Sequence, residues 1–341
     1  MIYRSKAPLR IGLAGGGTDV SPYSDVYGGA ILNATISLSA YASIEPIKEN
    51  AIIVQALDRK EEERFEWAPN LPINGHLDLL KGVYNRIHAM YGMPLTGFRL
   101  STFVDAPAGS GLGTSSTLVV AILGAFVEML KLPLGDYDIA HLAYQIERED
   151  LQLAGGKQDQ YAATFGGVNY MEFFGNDKVI VNPLRIHPEY LHELGNNLVL
   201  YFTATSRESA HIINEQVKNV KNKDEKSIEA MHQLKEQAKM MKEALLKGRL
   251  HEIGEILDFG FEQKRKMAHN ISNSKIEAIY NAAKKAGATG GKISGAGGGG
   301  FMIFYCPNNT RYAVIDALNT FGGEVKNYSF TKYGLTTWTI N

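Results

Sequence analysis

The chain carries a single cysteine, Cys306, among 341 residues, which excludes an internal disulfide and a thiolate metal cluster. Net charge is nearly absent as well. Lys and Arg total 35 against 36 Asp and Glu, a formal −1, so no global field draws the protein to nucleic acid or an anionic membrane, and any anion must be held locally. Long apolar runs are missing: Leu118 to Val127 is stopped by Glu128, well short of the ~20 residues that span a bilayer. The opening Met1-Ile-Tyr-Arg-Ser-Lys has no apolar signal-peptide core, and a cytoplasmic location is expected.

Glycine, by contrast, is abundant. The 35 glycines concentrate at 12–17, 109–113, 155–156, 166–167 and 290–300 rather than forming a flexible linker. Such clusters mark sharp bends or close backbone approach to a ligand; tight turns are the plainer alternative. The length suits two domains, with a boundary expected where Pro183, Pro188 and Gly195 break the pattern, giving units 1–190 and 191–341.

Residues 1–60 read as strands, 76–92 as a helix, Phe98 to Val104 as a strand, and Leu118 to Leu130 as a buried helix. A further helix is expected from Asp136 to about Leu153, then strands near Val168 to Phe174 and from Leu198. Residues 208–285 read as helical, with Met231 and Met241 filling core and Lys218 to Lys226 and Lys264 to Lys266 on solvated faces. The end returns to strands at Phe301 to Cys306 and Thr336 to Ile340.

Three glycine segments carry the chemistry. In Pro107-Ala-Gly-Ser-Gly-Leu-Gly-Thr-Ser-Ser116 a strand enters and an apolar helix leaves, so backbone N–H groups and a helix N-terminus converge on one point suited to phosphate. Hydroxyls at Thr114, Ser115 and Ser116 can cap that helix or reach a magnesium ion. No Gly-Lys-Ser or Gly-Lys-Thr occurs, which excludes a Walker loop; a merely capped helix is the alternative. In Lys6 to Asp19, Arg10 leads into a loop ending in Gly17, Thr18 and Asp19. A carboxylate there accepts from vicinal sugar hydroxyls and the arginine steadies an anion, unless Asp19 simply caps a turn. The third, Gly290 to Phe301, contains G-x-G-x-x-G at Gly295, Gly297 and Gly300, but with the helix before it and the strand after it, the reverse of the dinucleotide fingerprint.

A carboxylate near an acceptor hydroxyl is best supplied by Asp159, between two glycine pairs, and Glu147 is a candidate metal ligand unless it is a surface residue of the run Glu147-Arg-Glu-Asp150.

Together these segments resemble the GHMP kinase superfamily over nearly the whole chain. The combination of Ala7-Pro-Leu-Arg-Ile-Gly-Leu-Ala-Gly-Gly-Gly-Thr-Asp19 with Gly155-Gly-Lys-Gln-Asp-Gln-Tyr161 looks like its branch of D-glycero-D-manno-heptose 7-phosphate kinases, related to fucokinase. Galactokinase carries Gly-Glu-His where this chain has Gly15-Gly-Gly17, which argues against galactose. The resemblance implies an α+β, two-domain fold, ribosomal-S5-like then ferredoxin-like, with the site between. It implies that Pro107, Gly109, Ser110, Gly111, Leu112, Gly113, Thr114, Ser115 and Ser116 wrap the ATP phosphates, and that Ser115 and Glu147 hold Mg2+, with Glu149 a rival. Asp159 and Arg10 would be catalytic, Gly17, Thr18 and Asp19 would meet the sugar, and Gly295, Ala296, Gly297, Gly298 and Gly299 would complete the wall.

The implied partners are ATP, magnesium, a sugar or sugar phosphate, and a second copy of the chain in a homodimer, without nucleic acid or membrane. The implied reaction phosphorylates the anomeric hydroxyl of the heptose 7-phosphate, toward activated heptose. A kinase for free fucose is the near rival and a non-catalytic sensor the distant one. Lys157 and Arg207 are cations that suit the acceptor's own phosphate. Phosphoryl transfer needs alignment and charge neutralisation more than covalent chemistry, and aspartates ordinarily ionise near pH ~4, so orientation with late proton acceptance is expected of the catalytic carboxylate.

Overall fold

A computed structural model of the protein describes residues 1–92, 96–205 and 209–341. The first sheet contains β1 (Ile2–Ala14), β2 (Gly29–Pro46), β3 (Ala51–Ala56), β4 (Glu61–Glu66), β5 (Phe98–Val104), β6 (Val168–Phe173) and β7 (Val179–Pro183). The second is built from β8 (Leu198–Phe202), β9 (Gly290–Ile293), β10 (Phe301–Tyr305) and β11 (Glu324–Lys326), after which β12 (Thr336–Ile340) returns to the first.

Helices α1 (Tyr23–Tyr27), α2 (Asp78–Tyr91), α3 (Thr114–Leu130), α4 (Asp136–Gln145), α5 (Gln158–Phe165) and α6 (Pro188–Asn197) belong to the first part of the chain. Four more, α7 (Ser209–Lys221), α8 (Glu225–Leu246), α9 (Ile253–Lys264) and α10 (Ser274–Lys285), lie between β8 and β9, and α11 (Arg311–Asn319) between β10 and β11. No helix among the described residues is long and apolar enough to cross a membrane.

The first sheet runs β12-β1-β2-β5-β3-β4, with β6 and β7 added along the first half of the long β2. Its core is formed against α3, whose residues Val119 to Phe126 are all buried. A helix apolar on every side is what such burial requires. The second sheet is antiparallel in the order β11-β8-β10-β9, which is 4-1-3-2 in its own strands and matches the ferredoxin-like expectation.

The second sheet opens at Leu198, next to the expected break. The segment after Lys326 folds back: Thr331 N–H donates to the Thr35 carbonyl, Leu335 N–H to that of Thr164, and β12 pairs with β1. A cut at 190/191 therefore separates β12 from its own sheet, and we place residues 328–340 with the first unit.

Two local features absent from the sequence reading shape the site. The helix expected from Asp136 to Leu153 stops at Gln145 and widens into a π-helical turn over Ile146–Asp150, a distortion often found at functional positions. Asp159, which the sequence reading places between two glycine pairs without assigning it an element, is the second residue of α5.

Candidate active site

The three glycine segments meet backbone to backbone. A Cβ on Gly111 would lie 2.5 Å from the Ser294 carbonyl oxygen, and one on Gly295 would lie 2.6 Å from Gly111 Cα. Only glycine permits that approach. Ser110 contributes its carbonyl to the Phe301 N–H and Leu112 its carbonyl to the Arg10 N–H, at 2.8 and 3.2 Å. These two residues and Pro107, whose carbonyl receives the Ser110 N–H, are the frame of the loop rather than its lining.

Gly109, Gly111 and Gly113 have φ of 70°, 86° and 77°. Left-handed glycines alternating with Ser110 and Leu112 are the backbone pattern in which neighbouring N–H groups can gather on one side to receive an anion. The hydroxyls expected to cap α3 do not: its N-cap is Gly113, with no side-chain cap bond. Thr114, Ser115 and Ser116 fall within the first turn instead, and the helix's leading N–H groups remain for an anion.

Beside this loop Arg10 and Asp159, 149 residues apart in sequence, form an ion pair. Arg10 Nε and Nη2 both donate to Asp159 Oδ1 at 2.7 Å, and Arg10 Nη1 donates to the Gly111 carbonyl. The arginine side chain is 4% exposed and the aspartate 22%. Register shifts flank Arg10 on β1, between Pro8 and Arg10 and between Gly12 and Ala14, and such irregularities re-aim a strand side chain. Asp159 Oδ2 would lie 3.2 Å from a Cβ on Gly113, so the carboxylate abuts the start of α3.

Asp19 faces the same space. Its Oδ2 accepts from the Gln158 N–H at 3.0 Å. A Cβ on Gly156 would lie 1.9 Å from that oxygen, which explains a glycine there. Burial pushes the Asp19 carboxyl above the usual range and Asp159 adds to the shift, while the Gln158 N–H and Arg10 oppose it.

Glu147, 1% exposed, stands on the π-helical turn. Its Oε2 accepts from Gln160 Nε2 at 2.5 Å, and the same amide donates to Ser116 Oγ at 3.1 Å. Ser115 is exposed to the cavity, whereas Glu149 is exposed and outside its lining, which favours Glu147. The donor set, a buried carboxylate with neighbouring hydroxyls, fits magnesium, a hard cation that takes few protein oxygens and keeps others for phosphate and water. Among the described residues no group of three acidic, histidine or cysteine side chains forms a self-sufficient metal cage.

These groups line a cavity of about 280 Å³ that also holds Gly17, Gly295 and Ala296. An adjoining cavity of about 360 Å³, sharing Thr114, Ser115 and Leu153, is walled by Ile73, Leu77, Leu79, Leu80 and Leu118.

Several expected members lie elsewhere. Gly297, Gly298 and Gly299 sit behind the wall: Gly298 N–H donates to the Ile271 carbonyl, and Gly297 and Gly299 pack on Ile271 and Thr205. Lys157 is buried away from the cavity, paired with Asp177 at 2.9 Å and Asp25 at 3.4 Å. Arg207 lies outside the described residues.

Thr18 spends its hydroxyl on the loop itself. Oγ1 donates toward the Gly15 and Ala30 carbonyls at 2.9 Å and accepts from the Ala30 N–H at 3.1 Å. Thr18→Val leaves that buried N–H unsatisfied, so it is expected to lower unfolding free energy by about 1–3 kcal/mol in urea denaturation, with little change in acceptor KM. A raised KM at unchanged stability would return the hydroxyl to the ligand.

The sequence reading missed Gln158, Gln160, Lys264 and Lys292, and the two lysines are buried against the cavity. For Lys264 this corrects the expected solvated face: α9 turns it beneath loops from distant parts of the chain.

The chain matches the GHMP kinases N terminal domain at residues 78–167 and the GHMP kinases C terminal domain at 241–324. It is 48% identical over 337 residues to the D-glycero-alpha-D-manno-heptose 7-phosphate kinase of Campylobacter jejuni, covering 99% of each protein. A crystal structure of a D-glycero-D-manno-heptose 1-phosphate kinase from Bacteroides thetaiotaomicron, 47% identical, superposes with a TM-score of 0.85 over 99% of both chains. Lactococcus lactis galactokinase complexed with galactose, 18% identical, shares the fold with a TM-score of 0.77 over 98% of this chain and 95% of its own. Gly109 to Ser116, Glu147 and Asp159 lie in the first match and Lys264, Lys292 and Gly295 in the second, while Arg10 to Asp19 precede both; with the 48% identity over 99% of its length, the chain belongs to the GHMP kinases, phosphotransferases with an alcohol group as acceptor.

Proposed function

We propose that this protein transfers the γ-phosphoryl group of ATP to the anomeric hydroxyl of D-glycero-D-manno-heptose 7-phosphate, giving the 1,7-bisphosphate. The observation that carries this reading is Asp159, held by Arg10 between the start of α3 and the buried Asp19. A phosphoryl donor and a polyol fit on its two sides.

In this reading the N–H groups of 109–113 other than that of Ser110, which is held by Pro107, and those of the first turn of α3 bind the ATP phosphates. The adjoining apolar cavity takes the adenine. Ser115 and Glu147 hold Mg2+, which when bound neutralises phosphate charge. Asp19 accepts from acceptor hydroxyls, with Gly17 shaping the approach. Asp159 Oδ1 is taken by Arg10, which leaves Oδ2 to orient the reacting hydroxyl. As the acceptor oxygen bonds to phosphorus and the bond to ADP breaks, that carboxylate receives the proton. ATP supply assigns the reaction to the cytoplasm. A homodimer, part of the same reading, is checked by light scattering.

The test is ADP release with heptose 7-phosphate, heptose 1-phosphate, free heptose and L-fucose as separate acceptors, with 31P NMR of the product. The 7-phosphate is expected to give the highest kcat/KM and a new anomeric phosphate signal. Preference for fucose or for the 1-phosphate overturns the assignment of the acceptor.

A further inference from the structure

Lys264, the last residue of α9, is 3% exposed and lines the cavity. Its Nζ donates to the Gly295 carbonyl, and a Cβ on Gly16 would lie 3.7 Å from it. Lys292 on β9 is also buried at the cavity, donating to the Gly12 carbonyl at 2.9 Å. Among the described residues neither ammonium has a carboxylate within salt-bridge distance; their acceptors are main-chain carbonyls. Arg10 is already matched by Asp159. Asp19 is therefore the acid that remains to face Lys264. A buried charge without a partner is expensive, and an anion entering the cavity removes that penalty.

The position decides which anion. Lys264 bonds to Gly295, which packs on Gly111, whose carbonyl receives Arg10 Nη1. On its other side stands Gly16, in the loop leading to Asp19. The ammonium thus lies where the donor loop and the acceptor loop meet. A phosphate at the far end of a sugar acceptor would be removed from this junction by the length of the sugar.

We propose that Lys264 is a catalytic residue that donates hydrogen bonds to the non-bridging oxygens of the phosphoryl group in transit, beside Arg10. This rests on the phosphotransferase reading above. The acceptor oxygen–phosphorus bond forms, the bond to the ADP oxygen breaks, the acceptor proton passes to Asp159, and Lys264 keeps its own proton.

Electrostatics give the idea a pH signature. Burial, then Arg10, push Lys264 down to about 8, with Asp19 opposing. Lys292 is also held well below the ordinary lysine range, by burial first and then by Lys264 and Arg10. The charged groups facing Lys264 are thus Arg10 on β1, Asp19 in the loop after β1 and Lys292 on β9. In the free enzyme the active ammonium is lost as pH rises through about 8, so kcat/KM falls above that point. Bound phosphate favours the charged form and moves the corresponding limb of kcat to higher pH.

The experiment compares wild type, Lys264→Met and Lys264→Arg from pH 6 to 10, with heptose 7-phosphate and free heptose, alongside ligand-free melting curves. Lys264→Met is expected to lower kcat about 100-fold for both acceptors, with KM little changed, and to raise the ligand-free Tm because an unpaired buried charge is gone. Lys264→Arg is expected to restore most of kcat and to lose the alkaline limb near pH 8.

Unchanged kcat in the methionine variant overturns the proposal. So does a defect confined to KM for the 7-phosphate, which would make Lys264 the holder of the acceptor's own phosphate. An alkaline limb that persists in a well-folded arginine variant also overturns it. If wild type itself releases no ADP with any sugar, the phosphotransferase reading fails; if only the variants behave as wild type, this inference alone fails.

Discussion

Asp159→Asn is expected to keep ATP and sugar-phosphate binding while lowering kcat by at least ~100-fold, the lower end of what a positioned acid–base group supplies. The substitution is nearly isosteric, and an asparagine Oδ1 can still accept from Arg10, whose Nη1 also retains the Gly111 carbonyl. The loops around it should therefore hold. What disappears, on the proposed mechanism, is the negative charge beside the reacting hydroxyl and the site that receives its proton. Arg10, buried and deprived of its counter-charge, adds a stability loss, visible as a lower Tm that ATP partly restores. The measurements are calorimetric titration with a non-hydrolysable ATP analogue and single-turnover phosphoryl transfer. Unchanged turnover removes Asp159 from the chemistry; lost nucleotide binding makes it a structural partner of Arg10 only.

The sequence reveals the parts of this site where chemistry acts on the backbone. Glycines at 111 and 295 are demanded by a contact that no side chain survives, so the composition itself records the approach. The order of elements around Gly295 is legible only in part: α10 comes before it, but β9 (Gly290–Ile293) intervenes, so the glycine run joins two antiparallel strands and no helix opens at it as a dinucleotide loop requires. Pairings across the chain are not legible. Nothing near Arg10 announces Asp159, and Thr336 to Ile340 reads as a strand without disclosing that it pairs with β1.

Lys264 misleads because Lys264-Arg-Lys266 has the composition of a solvated helix end; its burial comes from Gly16 and Gly295, residues that arrive from both sheets. Thr18 misleads differently. Its hydroxyl has a local acceptor three residues back at Gly15, and a threonine closing a glycine turn is a recurrent self-bonding motif. That signal was available and points away from the ligand. Asp159 shows the limit of glycine punctuation: the residues between Gly156 and Gly166 suffice for the two turns of α5, so glycine pairs can bound a helix as readily as a loop.

The same contact between loops yields the second large effect. Gly111→Ala combines two costs that can be separated. A left-handed conformation, here φ of 86°, costs an L-residue about 1–2 kcal/mol. Gly322, with φ of 70° and nothing within 4 Å of an added Cβ, isolates that cost, and Gly322→Ala should lower stability by about 1 kcal/mol with turnover intact. At Gly111 the added carbon also meets the Ser294 carbonyl oxygen at 2.5 Å, backbone against backbone, so neither side yields by a rotamer change.

The two loops must part. That breaks the bonds to the Gly111 carbonyl from Ser294 Oγ and Arg10 Nη1 together and shifts the N–H groups proposed to bind the phosphates. A misplacement of about 1 Å is enough for roughly 100-fold in rate. Gly111→Ala is therefore expected to lose about 100-fold in kcat/KM for ATP, far beyond what its stability loss implies, as ADP-release kinetics set beside urea denaturation will read. If its kinetic defect is no larger than that of Gly322→Ala, the loops do not need this contact and the phosphates are bound without it.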